Sequence, residues 1–245
     1  MVTYDRRSQS FFSYDYCGKY FDLVKADNAL RATVRNDFCS NLKNCLTVFL
    51  KIDEETAWAA ASSVYCRMSC SYLHFHNPVK ILAAFQFAYV NGMGLEVWER
   101  LALWFHCAVF NLNESYAANE INESQSIRLM RAVIPGGINM SNKDINLAER
   151  SIISQSEIEP KDQFAVFLDL TKTHRVFQSD SYKAAIQCLR SEYVNIHTHK
   201  EFIEYRKANC QNLLAKPLMF KSKFFNERFD NIARRNIFNE LSDGN

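Results

Sequence analysis

The chain has 245 residues, 48% of them hydrophobic, and its 29 basic and 27 acidic side chains leave a formal charge of +2. That is enough apolar material for one large core, and the interspersed charges supply no strong field for nucleic acid or an anionic membrane. Six Gly and four Pro are too few for a sandwich or barrel, which needs a turn about every ten residues, so an all-α fold is expected.

Residues 1–18 mix aromatics with Asp, Arg and Ser without a sustained period and read as an irregular arm. Between 20 and 50, Phe21, Val24, Leu30, Val34, Phe38, Leu42, Leu46 and Phe49 recur at a spacing that predicts one amphipathic helix. Asp53, followed by Glu54 and Glu55, predicts the N-terminus of a second helix running to Met68, because carboxylates there meet free N–H groups and the positive end of the dipole. Pro78 opens a third, to Val90, at a position where its missing N–H costs nothing. The segment 95–110 contains LALWFHCAVF, in which His106 is the one strongly polar residue, so a buried central helix is predicted there. Further helices are expected at 122–133, 144–155, 161–173, 180–196, 200–214 and 221–241, with Pro135-Gly136-Gly137 marking the clearest internal loop. No repeat or low-complexity linker divides them, and a single bundle is expected.

The first residues, MVTYDRRSQSFF, lack an apolar targeting core, and no run of about 18 apolar residues occurs. A cytoplasmic protein is therefore expected, in the host cytoplasm should the chain be viral. The eight cysteines include no CxxC pair and suit free thiols in a reducing compartment. Cys66 and Cys70 share a helix face, but no second pair stands at zinc-finger spacing.

Two histidine-bearing segments, SYLHFHNPVKILAAF and LALWFHCAVFN, are followed by FLDLTKTH and LRSEY. In that order they resemble the HD-domain phosphohydrolases, in particular the predicted-hydrolase branch with YHNxxHI and WFHDAVYD helices. NESQS from Asn122, DLTK from Asp169, LRSEY from Leu189 and the closing ARRNIFNEL match further motifs of that branch. The resemblance spans residues 53–241 and implies an HD-like helical domain over 53–245, preceded by an arm and helix over 1–52.

The family's reaction uses a divalent cation to activate water and neutralise phosphate charge, so the resemblance allows each ligand position to be inspected. Phe75, His76 and Asn77 fall on Tyr-His-Asn, which places Lys80 where the next ligand histidine stands, and an ammonium has no lone pair to donate. The His-Asp pair becomes His106 and Cys107. The DxDL segment keeps Asp169 but carries Thr171 at its second acid, and the histidine pair expected near 153–157 is replaced by Ser, Gln and Glu. The resemblance thus implies a degenerate HD protein, a pseudoenzyme whose hydrolase reaction is lost and which needs no cofactor.

Its remodelled pocket, formed by His76, Lys80, His106, Cys107, Asp169, Thr171, Arg190 and Tyr193, is expected to bind a phosphorylated small molecule or nucleotide through charge and hydrogen bonds. Each residue also has a plainer reading: His106 as a hydrogen-bonded core residue, Cys107 as a small buried hydrophobe, Lys80 as a snorkelling side chain or a partner for Asp169, and Arg190 with Glu192 as a surface ion network. Two further alternatives stand beside the binder. One is an unorthodox hydrolase holding Zn or Mn on His106 and Cys107; the other is an interaction or inhibitor protein that meets a protein partner, or a second copy, through its aromatic arm.

Overall fold

The computed structural model describes residues 12–111, 119–134, 142–155, 162–194 and 196–243, with the backbone alone at 119–121 and 142. Among them are ten α-helices and no strand: α1 (Asn28–Leu50), α2 (Glu54–Met68), α3 (Pro78–Val90), α4 (Val97–Phe105), α5 (Asn119–Val133), α6 (Asn142–Ile153), α7 (Ala165–Leu170), α8 (Ser179–Tyr193), α9 (His199–Leu214) and α10 (Lys223–Ser242). The Pro135-Gly136-Gly137 loop signal, residues 1–11 and Ser156-Glu157 lie outside the described residues.

Local chemistry sets most helix starts. Asp53, Asn77, Thr198 and Ser222 each accept a backbone N–H of the first turn of α2, α3, α9 and α10, satisfying donors that a helix cannot pair internally. Glu96 and Glu99 form a reciprocal capping box at α4. The α1 start differs from the periodicity-based expectation. The apolar spacing runs on through Phe21 and Val24, yet Asp22 Oδ1 accepts the Val24 N–H and Asp27 Oδ1 accepts the Leu30 N–H, so the chain turns at 22–27 and the helix begins at Asn28. Side chains that bond their own backbone prevail there over hydrophobic period.

The core is layered around α3 and α4. Leu101, Ala102, Leu103 and Phe105 are fully buried, and Trp104 is 2% exposed. Its indole stacks on Phe85 at 4.4 Å and receives the edge of Phe38 at 5.0 Å. Helices α1 and α2 pack on each other, α6 packs on α4, and α10 packs on α9, so that one apolar cluster runs from Tyr16 to Ile237. Residues 12–17 lie back on the molecule: Ser13 and Tyr16 donate to the buried Asp37 carboxylate, and Cys17 bonds the α3 residues Gln86 and Ala83.

No helix among the described residues is long and apolar enough to cross a membrane. The eight cysteines are all free thiols.

Candidate functional site

The predicted central helix ends at Phe105, five residues before its apolar run does. Helix α5 supplies the reason. Its Ser126 Oγ accepts the Val109 N–H at 3.1 Å, and its Asn122 Oδ1 accepts the Asn111 N–H at 2.9 Å, so the N–H groups of Val109 and Asn111 bond to side chains of a neighbouring helix, while Ala108 N–H still returns to the Phe105 carbonyl. The Asn and Ser of NESQS therefore position the 109–111 segment. One consequence is Phe110, whose ring stacks on His76 at 3.7 Å and 14°.

His76 stands in the turn that enters α3. The fully buried Asn77 knits this turn, its Nδ2 donating to the carbonyls of His74 and Leu73 and its Oδ1 accepting from Val79 N–H. The turn presents three donors to one carboxylate: the Phe75 and His76 N–H groups reach Glu192 Oε2 at 2.8 and 2.9 Å, and His76 Nδ1 reaches Glu192 Oε1 at 2.5 Å. Burial pushes the Glu192 carboxyl up, but His76 and these N–H groups outweigh it and hold it below its ordinary value. Burial, aided by the Lys80 ammonium, lowers the His76 imidazole against the pull of Glu192. A neutral ring donating through Nδ1 to an ionised carboxylate satisfies both directions, and it leaves His76 Nε2 as a bare acceptor.

One turn into α3, the Lys80 ammonium lies over the Phe75 ring, 5.2 Å from its centroid. No acid stands within ion-pair distance of it among the described residues. It interacts electrostatically with Glu192, Cys107, His106 and His76, and burial lowers its pKa. His106 donates from Nδ1 to the Leu103 carbonyl at 2.9 Å, which fixes Nε2 as the unprotonated nitrogen. That Nε2 is buried without a hydrogen-bond partner, and so is Tyr20 Oη. Burial and Lys80 hold the His106 imidazole well below its ordinary value, while burial pushes the Cys107 thiol up to about 11. Cys107 is thus a neutral thiol rather than a thiolate.

The structure brings His76, Lys80, His106 and Cys107 within electrostatic reach of one another; the other four candidates do not join them. The Asp169 carboxylate accepts the N–H groups of Lys221 and Ser222 at 2.9 and 2.7 Å, so it holds the entry to α10 instead of pairing with Lys80. Thr171 is buried but returns its hydroxyl to the Leu168 carbonyl at 2.8 Å. Arg190 and Tyr193 lie on the far face of α8, Arg190 beside His199 and Tyr193 against Phe202 and Tyr205. Helical phase separates them from Glu192, since residues two apart or adjacent point to different sides.

Three participants stand outside the candidate residues read from the sequence. Glu192, open there between pocket and surface, emerges as the central acid, and Tyr20 and His174 join it without having been singled out. The His174 ring meets Phe75 edge-on at 5.2 Å, and burial, with Arg175 and Lys80, lowers its pKa well below the ordinary value. The position of Phe75 as a hub for Tyr20, His76, Lys80 and His174 is legible only in three dimensions.

Compared with family models, curated proteins and solved structures, the chain matches none. The site must therefore be read from its own chemistry. Among the described residues no three His, Cys, Asp or Glu side chains converge as a metal ion requires. The Glu192 carboxylate is taken up by the Phe75 and His76 N–H groups and by His76 Nδ1, which leaves a neutral thiol, imidazoles and an ammonium, and this set does not fit a divalent cation. It fits an anion better.

Proposed function

We propose that this chain is a degenerate HD-type protein, without hydrolase activity, that binds a phosphorylated small molecule in the cluster around Lys80. The observation that carries the reading is the Lys80 ammonium, which has no acid within ion-pair distance among the described residues and interacts electrostatically with His106, together with two buried polar atoms that have no partner, His106 Nε2 and Tyr20 Oη. Buried polar groups are nearly always satisfied, so these two atoms, with the half-buried Lys80 ammonium and the Tyr20 ring both against Phe75, form a ready set of contacts for a polar ligand.

A phosphoryl group supplies what they lack. Its oxygens accept from the Lys80 ammonium and the Tyr20 hydroxyl, and a dianion favours proton uptake by His76 or His106, converting a bare nitrogen into a charge-assisted donor. The motif order that resembles HD phosphohydrolases supports the phosphate class, because in that resemblance Lys80 stands where a metal ligand would. An ammonium in place of the ion preserves attraction for phosphate while removing the means to activate water. Residues 12–17 are engaged with the chain's own α1 and α3, so no observation favours a protein partner docking on that part of the arm.

The test is a thermal-shift and calorimetric screen with inorganic phosphate, nucleotides and sugar phosphates on the wild type and Lys80→Met. At least one compound is expected to stabilise the wild type, by about 2.7 kcal/mol at a hundredfold excess over its Kd. Loss of a charged hydrogen bond worth about 1.5–3 kcal/mol should weaken that compound roughly ten- to a hundredfold in Lys80→Met. A wild type that none of them stabilises removes the reading.

A further inference from the structure

Helix α8 has a second working face. Opposite Glu192, it joins α9 and α10 around a cleft of about 140 Å³, close to the volume of an engineered cavity of about 150 Å³ that takes up benzene. Its walls include Ile186, Phe202 and Ile203, which suit the faces of a ring. Its polar end is built from buried groups. Arg206, 8% exposed, donates from Nε and Nη2 to the two Glu240 oxygens, each at 2.9 Å. Tyr182 donates to the same carboxylate.

That arrangement uses Glu240 fully but leaves part of Arg206 over. Nη2 also reaches Cys210 Sγ at 3.7 Å, whereas Nη1 has no protein partner among the described residues, although Arg206 lines the cleft. Arg175 stands close enough to repel the Arg206 guanidinium electrostatically and has no acid within ion-pair distance among the described residues. Arg190 adds a further positive charge at the rim, while Lys183 and Asp243 pair with each other there at 2.9 Å. A surplus guanidinium donor, excess positive charge and apolar walls of one-ring dimensions describe one class of ligand.

We propose that the cleft between α8, α9 and α10 binds a small aromatic carboxylate, its ring against Ile186, Phe202 and Ile203 and its carboxylate on Arg206 Nη1. The site is separate from the Lys80 cluster, which lies on the other face of α8.

Saturation-transfer NMR with benzoate as probe tests it on the full chain, with benzylamine as a ring of opposite charge and acetate as a head group without a ring. Benzoate is expected to receive saturation and to be undisturbed by inorganic phosphate, and benzylamine and acetate to receive none. Ile203→Trp fills the cleft from its wall and should abolish the benzoate signal. The double variant Arg206→Met with Glu240→Leu replaces the buried pair by apolar side chains of similar bulk, an exchange that buried ion pairs commonly tolerate, and it should also lose benzoate while keeping its melting transition. Absence of saturation in the wild type, equal transfer to benzylamine, or a benzoate signal that survives in either folded variant overturns the proposal.

Discussion

Glu192 is the residue on which the Lys80 cluster depends. It is fully buried, yet it stays ionised because two backbone N–H groups and one imidazole N–H converge on it. Truncating it to Ala strands all three donors, and a buried donor left unsatisfied costs about 1–3 kcal/mol. Glu192→Ala should therefore melt markedly lower than the wild type in a calorimetric scan, whereas Glu192→Gln, which still accepts hydrogen bonds, should lose less. An Ala variant as stable as the wild type contradicts this account of the turn. His106 poses the converse case at the same scale: its Nδ1 is satisfied by Leu103, and its Nε2 is buried with no partner while the ring feels the Lys80 charge.

At the scale of elements, side-chain caps rather than hydrophobic period decide where helices stop and start. Helix α10 is entered through Lys221 and Ser222, whose N–H groups bind the Asp169 carboxylate of α7, and Ser222 Oγ then accepts from Phe225. Asp169→Ala removes the acceptors of the buried Ser222 N–H and the more exposed Lys221 N–H, so a loss of about 1–3 kcal/mol in denaturant unfolding is expected, with no change in phosphate affinity at Lys80. A variant that loses phosphate binding but not stability would place Asp169 in the ligand site after all. The first turn of α3 and the 109–111 segment follow the same rule, pinned by Asn77, Asn122 and Ser126.

For the whole molecule, the telling property is a set of neutral imidazoles, one buried and two half-buried. His76, His106 and His174 are all lowered from the ordinary 6.5, chiefly by burial. An imidazole depressed on folding binds fewer protons in the native than in the unfolded chain, so stability is complete above 6.5 and declines as pH falls below it toward the folded-state value. The unliganded protein should show a melting temperature that drops as pH is lowered just below 6.5, before the carboxylates titrate. Saturating phosphate, which favours the protonated rings, should oppose the drop. A melting temperature flat through that window shows that these rings are not held neutral by the fold.

Much of the helical order was legible because periodicity and caps are local properties. The α2 and α3 boundaries at Asp53 and Pro78 follow from residues within one turn of each other, and the depth of α4 follows from an unbroken apolar run. The meeting of His76, Lys80, His106 and Cys107 was also approachable, since two histidine-bearing helices of a single bundle can converge. Asp169, Thr171, Arg190 and Tyr193 were not separable from them in sequence. Whether a carboxylate turns to an ammonium or to the N-terminus of another helix depends on groups 52 and 53 residues away, and whether Arg190 or Glu192 faces inward depends on how α8 is rotated against α3 and α10. The amino-acid order determined which segments coil and which faces are apolar, because both depend on neighbours within a few residues. Tertiary packing alone decided which polar atoms find partners and which stay unpaired, because a hydrogen bond forms only between groups that folding has brought within about 3 Å.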